Sequence, residues 1–351
     1  MISKRYVFLA IIFSIILNNI LGQNKNTPPI DTNSIRVVFY NLENFFDSFD
    51  DTLTNDDEFT PFGEKHWTWK RFVEKKLKIS KVLLNIGEWN MPGIIGLCEL
   101  ENKFVLQQLL FNSSLKSFNY NIIHNDSPDL RGIDVALVYN QDVFVPIQTN
   151  FINIVFSFDS TIKTRDILYA KGVLNKTDTL HIFVNHWPSR YGGYLKTVSK
   201  RNYVAKVLRE KIDSIQLENQ AANIIIMGDF NDEPKDESLS KILKARIAGS
   251  EFKTKDLINL MTFKKKDQIE GTIKYRESWN TFDQFIISYS LLNKENLLYI
   301  EPMKKNIFDA AYLLEYDNTY LGNKPFRTYS GPKFNDGFSD HLPIYMDIYI
   351  K

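Results

Sequence analysis

Residues 223–234 read NIIIMGDFNDEP, and the four consecutive apolar side chains at 224–227 constrain the fold more than any other feature. A strand with one wet face alternates apolar and polar residues, so an unbroken apolar run predicts a sheet covered on both sides. TLHIFVNHW, residues 179–187, repeats the pattern. Further β-type runs include RVVFYNLENFF, PGIIGLCEL, DVALVYN, TFDQFIIS and HLPIYMDIYI. Two helical patterns interrupt them. In residues 68–89 the apolar stripe is Phe72, Val73, Leu77, Val82, Leu83 and Ile86; farther on it is Leu195, Val198, Ala205, Leu208, Ile212 and Ile215. Arg201 falls within the second stripe, where its stem would snorkel along the apolar face. Covered sheets interleaved with amphipathic helices imply an α/β or α+β fold of two packed sheets with helices outside. Residues 245–276 and 291–338 are weakly patterned and expected at the surface.

No Gly/Ser-rich linker or repeat divides the chain after residue 34, so residues 35–351 are expected to form one domain. Ahead of it, Lys4 and Arg5 precede an apolar run that weakens at Asn18 and Asn19 and reaches the small Gly22. That order is the pattern of a cleavable signal peptide, residues 1–22, rather than of a retained anchor. It implies a secreted or periplasmic protein with no stable membrane span after cleavage. Residues 23–34 read as a flexible lead-in. Cys98 is the only cysteine, so no intrachain disulfide forms. Without Lys4 and Arg5, the 43 basic residues become 41 against 42 acids, a net charge of about −1. Dedicated duplex binders are strongly basic. Polyanion binding here has to come from a local patch, and a monomer is expected.

The polar residues gather at strand ends. Asp229 and Asn231 follow the run at 224–227 with i, i+2 spacing. Turn chemistry alone explains one such motif. A calcium loop does not, because its sixth and twelfth positions would be Pro234 and Ser240 in place of Gly and Glu. The pattern recurs: Asn41 and Glu43 in NLEN, Glu99 in CELEN, Asn185 and His186 in NHWPSR, Asp283 in TFDQFIIS, and Asp340 with His341 in SDHLP. Buried carboxylates cost several kcal/mol unless paired or metal-bound, so their repetition at strand ends marks a shared site.

These motifs, GDFND and SDHLP above all, resemble those of the endonuclease/exonuclease/phosphatase superfamily, in the same order and over nearly the whole chain after residue 35. The resemblance is to a secreted bacterial branch. It implies a four-layered α/β/β/α sandwich of two mixed sheets, deoxyribonuclease I-like, with the site at one rim. It further implies an enzyme hydrolysing phosphodiesters with Mg²⁺ or Mn²⁺. Glu99 would be the principal metal ligand, with Asn41, Asp340 and Glu43 as further metal-side groups. His341 and Asp283 match a catalytic pair, Asp229 the group that activates water or protonates the leaving oxygen, and Asn231 the amide that orients it. His186 matches a second active-site histidine whose carboxylate partner is not identifiable from sequence. Arg131, Arg165 and Arg190 match phosphate contacts or are surface ion pairs. Nucleic acid is the expected substrate, with endonucleolytic cleavage; a phospholipid head group or a small phosphate ester is the alternative, and a catalytically inactive binding module a third reading. The acidic stretch at 47–59 is either solvated or holds Ca²⁺ as an accessory ion. His66, His124 and His181 read as structural, as do Trp67 and Trp69.

Overall fold

In the computed structural model, which describes residues 33–351 except 89, 265, 267 and 268, two seven-stranded sheets are formed. The expected signal peptide and most of the lead-in lie outside the described residues. The first sheet contains β1 (Ser34–Phe45), β2 (Ile94–Leu100), β3 (Tyr120–His124) and β4 (Asp134–Asn140). The closing strand Ile344–Ile350 pairs antiparallel with β1, and β1 pairs parallel with β2. Two short strands, Leu298–Ile300 and Asn306–Ile307, pair with that closing strand. The second sheet runs β5 (Phe144–Ile152), β6 (Ile167–Leu174), β7 (Asp178–His186), β8 (Asn223–Asp229), then Asp283–Ser288, Leu257–Asn259 and Ala245–Arg246. Both sheets are mixed, β7 lying parallel to β8 and the rest of that row largely antiparallel.

The apolar run on β8 is buried on both faces. Ile225 and Met227 enter the core shared with Phe39 and Ile94 of the first sheet. Ile224 and Ile226 enter a second core with Val204, Leu208 and Ile212 of a long helix, α3 (Tyr194–Glu218). Burying such a side chain fully contributes about 1.5–3 kcal/mol, so neither face tolerates a polar residue. On the first sheet pack α1 (Trp69–Gly87) and α2 (Lys103–Phe111), capped by the Thr68 hydroxyl and the Asn102 amide oxygen. The order is helix, sheet, sheet, helix. Among the described residues no helix is long and apolar enough to cross a membrane.

Gly96 sets how closely the sheets approach. A Cβ there would stand 2.7 Å from Met227 Sδ and 3.1 Å from Phe39 Cδ2, inside contact distance. Three expectations fail in detail. Leu77 is 49% exposed and Leu195 85% exposed, so neither joins its helix's buried face. Lys75 and Arg201 are buried instead, because each finds acceptors or an acid inside; Arg201 Nε lies 2.8 Å from Asp232 and is not snorkelling. Residues 291–338 are not merely surface: Leu298, Ile300, Leu313 and Phe338 join the main core, and residues 327–329 reach the site described next. Residues 245–276 likewise bury Leu257, Ile258 and Leu260.

Candidate active site

Strand register assembles the site. In the second sheet His186 stands opposite Asp229 across β7 and β8, and Asp229 stands opposite Asp283 on the next strand. Side chains alternate along a strand, so these three follow Val184, Met227 and Phe285 onto the face toward the first sheet. There Asn41 is the register partner of Cys98. Regular alternation would aim Glu99 the opposite way from Cys98. Irregular register between Cys98 and Leu100, with Glu99 at φ 57°, turns it. Glu43, Asn44 and Asn231 also have positive φ, at 49°, 54° and 51°. Non-glycine residues in this region cost about 1–3 kcal/mol each, and such conformations cluster where side chains are re-aimed for function.

Asp229 Oδ2 is the hub. It accepts from Asn41 Nδ2 at 3.1 Å and lies 3.7 Å from His186 Nε2 and 3.8 Å from His341 Nε2. The same Asn41 amide donates to Glu99 Oε1 at 3.2 Å, and His186 Nε2 is 3.7 Å from that oxygen. Asn44 N–H donates to the other Glu99 oxygen at 3.1 Å. On the far side His341 Nδ1 meets Asp283 Oδ2 at 2.6 Å. Ser339 ties this turn to β1, donating to Asn41 O at 2.8 Å while accepting from His341 N–H. Asn231 N–H donates to Asp229 Oδ1 at 2.9 Å, and its amide nitrogen to Trp187 O at 3.1 Å.

Burial splits the ionisation of these groups. It lifts the Asp229 carboxyl to about 7, opposed by the positive field of His341 and reinforced by Asp283. It would lower His341, but Asp283 and Asp229 together hold that imidazole well above its ordinary value. His186 has no such neighbour on its Nδ1, which is buried without a partner among the described residues. Burial and the nearby Arg165 and Arg131 push it well below the ordinary range, leaving it neutral. One imidazole is thus a cation and the other a neutral base within reach of the same carboxylate.

Glu99 Oε1, Asp229 Oδ2 and His186 Nε2 belong to a group of ligand atoms that all lie within 4.8 Å of one another. Two carboxylates and a neutral imidazole make an oxygen-rich, negatively charged donor set, suited to a hard divalent cation. Cys98 supplies no thiolate, since burial raises it well above its ordinary value. In this arrangement Asn41 turns its amide nitrogen to the carboxylates, and its oxygen accepts from Glu43 N–H at 2.9 Å.

Glu43 and Asp340 are drawn into a neighbouring cluster. Glu43 accepts from Thr328 N–H at 2.6 Å and, at 3.4 Å each, from Tyr329 N–H and Arg327 Nε. Arg327 Nη2 donates to Asp340 at 2.8 Å. Among the described residues neither acid shares a ligand-distance group with Glu99; both are paired to the Arg327 guanidinium instead. Lys75 completes this cluster, donating to Glu43 O, Thr328 Oγ1 and Phe338 O; burial lowers its ammonium to about 8. Neither Lys75 nor Arg327 stood out in the sequence. Their signals were a lysine on the apolar stripe of α1 and an arginine in FRTYSGPKF.

The arginines divide. Arg165 donates to Asp129 at 2.9 Å and to Trp187 O at 2.6 Å, next to His186. Arg131 is exposed, with its Nε 3.5 Å from Asp129. Arg190, read as a phosphate contact or an ion pair, donates to Asp232 at 3.0 Å, Asp236 at 2.5 Å and Asn231 O at 2.7 Å. Its charge is spent bracing the turn after β8. The stretch at 47–59 is partly buried, at Asp47 and Asp56, and lies outside every ligand-distance group of the described residues. His124 is bonded to Asp134 at 3.1 Å, and the two group with the exposed Asp126.

The sequence profile of the endonuclease/exonuclease/phosphatase family matches residues 36–350. None of the curated proteins matches the sequence. Among solved structures, a humanized D. rerio TDP2 superposes with a TM-score of 0.55 at 13% identity, covering 90% of this chain and 99% of its own. The human Nocturnin catalytic domain with bound sulfate gives 0.53 at 18% identity, over 91% and 95%. A mannosyl-6-phosphatase of Bacteroides thetaiotaomicron gives 0.53 at 13% identity, over 90% and 100%. The shared feature is the fold, the deoxyribonuclease I-like α/β sandwich.

Proposed function

The chain belongs to the endonuclease/exonuclease/phosphatase family, and from that premise we propose that it is a divalent-metal-dependent phosphodiesterase that cleaves nucleic acid internally. The observation that carries this reading is the position of Asp229 Oδ2 between two imidazoles and the Asn41 amide that also grips Glu99. Glu99, with Asn41 beside it, would hold Mg²⁺ or Mn²⁺, and a bound cation would neutralise charge on the phosphoryl oxygens. The His341 imidazolium, its Nδ1–H fixed on Asp283, offers Nε2–H to the same oxygens. Asp229 takes the proton of an attacking water or passes one to the leaving oxygen. Asn231 holds that carboxylate through its backbone N–H.

A polyanion is favoured over a small ester by the cations on one flank. Arg131, Lys163 and Lys200 line a cavity beside the strand end that carries His186, whereas on the Asp340 side Lys274 and Arg327 are already paired with acids. With residues 1–22 read as a signal peptide and 35–351 as the catalytic domain, the protein is an exported scavenging enzyme. The test offers the purified protein plasmid, RNA, sphingomyelin vesicles, inositol phosphates and an aryl phosphodiester, with Mg²⁺ or chelator. The reading expects Mg²⁺-dependent plasmid nicking that weakens steeply with salt. Hydrolysis of vesicles or small phosphates with plasmid left intact would overturn it.

A further inference from the structure

A cavity of about 270 Å³ opens beside the strand end that carries His186. Arg131, Lys163, Thr164, Arg165, Ser189 and Lys200 line it. Four of these are cations, and one buried carboxylate, Asp129, serves both arginines. Neither Lys163 nor Lys200 forms an ion pair among the described residues, although the exposed Asp159 lies within the field of Lys200. The wall therefore holds a local excess of positive charge on a chain that is nearly neutral overall.

Two buried polar atoms on this wall lack a partner among the described residues. Thr164 is 3% exposed, and its Oγ1 has no hydrogen bond; Arg165 Nε is in the same condition. Leaving a buried donor unmet costs about 1–3 kcal/mol, and native interiors rarely do so without a ligand or water in view. Surplus donors backed by flexible ammonium groups fit an anion with several acceptor oxygens, above all a phosphate. The cavity is also coupled to the reaction centre. Trp187 O accepts from both Arg165 Nη2 and Asn231 Nδ2, so the two sites share a wall.

We propose that this cavity binds the phosphate next to the scissile one along a nucleic-acid strand, with Lys163, Lys200 and the Thr164 hydroxyl as its ligands. The inference rests on the phosphoester reading of the neighbouring centre, and it requires a substrate longer than a single diester. The decisive measurement is binding of a fluorescent single-stranded oligonucleotide in chelator, where no turnover occurs. Lys163→Ala with Lys200→Ala weakens binding about tenfold or more, and Thr164→Val a few-fold. The slope of log affinity against log salt flattens by about 0.7 for each ammonium–phosphate pair removed. A control on the same outer helical layer, Lys206→Ala with Lys241→Ala, changes neither. With Mg²⁺ the wild type prefers an oligonucleotide to a dinucleotide bearing one diester, and the cavity variant loses that preference. Equal affinity of wild type and cavity variant, or equal loss in the control, overturns the proposal. An aryl diester turned over by a wild type whose cavity variant binds undiminished would remove the subsite and leave the phosphoester reading standing. Oligonucleotide binding with these dependences but no turnover of any ester would do the reverse.

Discussion

Replacing Asp283 with Asn keeps the shape of the side chain and removes its charge. In the native site its Oδ2 lies 2.6 Å from His341 Nδ1, with both groups buried. Burial alone would lower the imidazole; Asp283 is the largest influence raising it, ahead of Asp229. In Asp283→Asn the imidazole loses its largest raising influence and falls toward the ordinary histidine value of about 6.5, with Asp229 still opposing burial. At pH 8 such a group is protonated in roughly 3% of molecules, so loss of imidazolium alone slows turnover about 30-fold. Loss of the fixed tautomer adds one to two further orders, giving about a thousandfold. The assay is kcat/KM on an aryl phosphodiester with Mg²⁺ from pH 5 to 10. The alkaline limb of the variant moves below neutrality, and its deficit narrows toward pH 6. Stability follows the same sign. A histidine raised on folding stabilises fully below its unfolded value, about 6.5, and that contribution is lost as pH rises through its folded value. Urea unfolding therefore separates wild type from variant most in acid and least in alkali. An unmoved alkaline limb, or a deficit equal at every pH, refutes the reasoning.

Three other substitutions test the scaffold. Glu101 is raised to about 8 by burial and by Asp47, so its stabilising contribution, complete below about 4.5, is lost as pH climbs through 8. Glu101→Gln should thus gain about 2–4 kcal/mol at pH 9 and little at pH 5, read by urea titration at both. Gly96→Ala inserts a methyl against Met227 and Phe39 between the sheets and should cost about 1–3 kcal/mol, seen as a lowered Tm. Lys75→Met strips the shared donor from Glu43 O, Thr328 Oγ1 and Phe338 O, with an expected loss of about 3–5 kcal/mol by denaturant unfolding.

The parts of this molecule that are legible in sequence are those set by local periodicity. The apolar runs on β7 and β8 require two covered faces, and the sheets deliver them through Ile225 and Met227 on one side and Ile224 and Ile226 on the other. The strand-end acids, amides and imidazoles of GDFND, CELEN and SDHLP do converge, because register sets His186, Asp229 and Asp283 in a row. What escapes a linear reading is pairing across the fold. Nothing near Arg190 or Arg201 in the chain shows that Asp232 claims both guanidinia. Lys75 lies 32 residues from Glu43 and 253 from Thr328, so its burial is unreadable until residues 327–329 fold back on β1. Exposed Leu77 and Leu195 mark the same limit, since periodicity says which side chains share a face but not how far the covering layer extends.

The central claim is that Asp229 and His341, 3.8 Å apart in the structure, act as one unit on one phosphoester. Single-turnover rates on an aryl phosphodiester for Asp229→Ala, His341→Ala and the double variant, with Tm recorded for each, test it directly. The account predicts chelator-sensitive turnover in the wild type and a loss of about a thousandfold in each single variant. It predicts a double variant no more than about tenfold worse than either, with each variant still folded at the assay temperature although loss of His341 strands the buried Asp283 and lowers Tm. Losses that multiply in the double variant, or wild-type turnover indifferent to chelator, would contradict it.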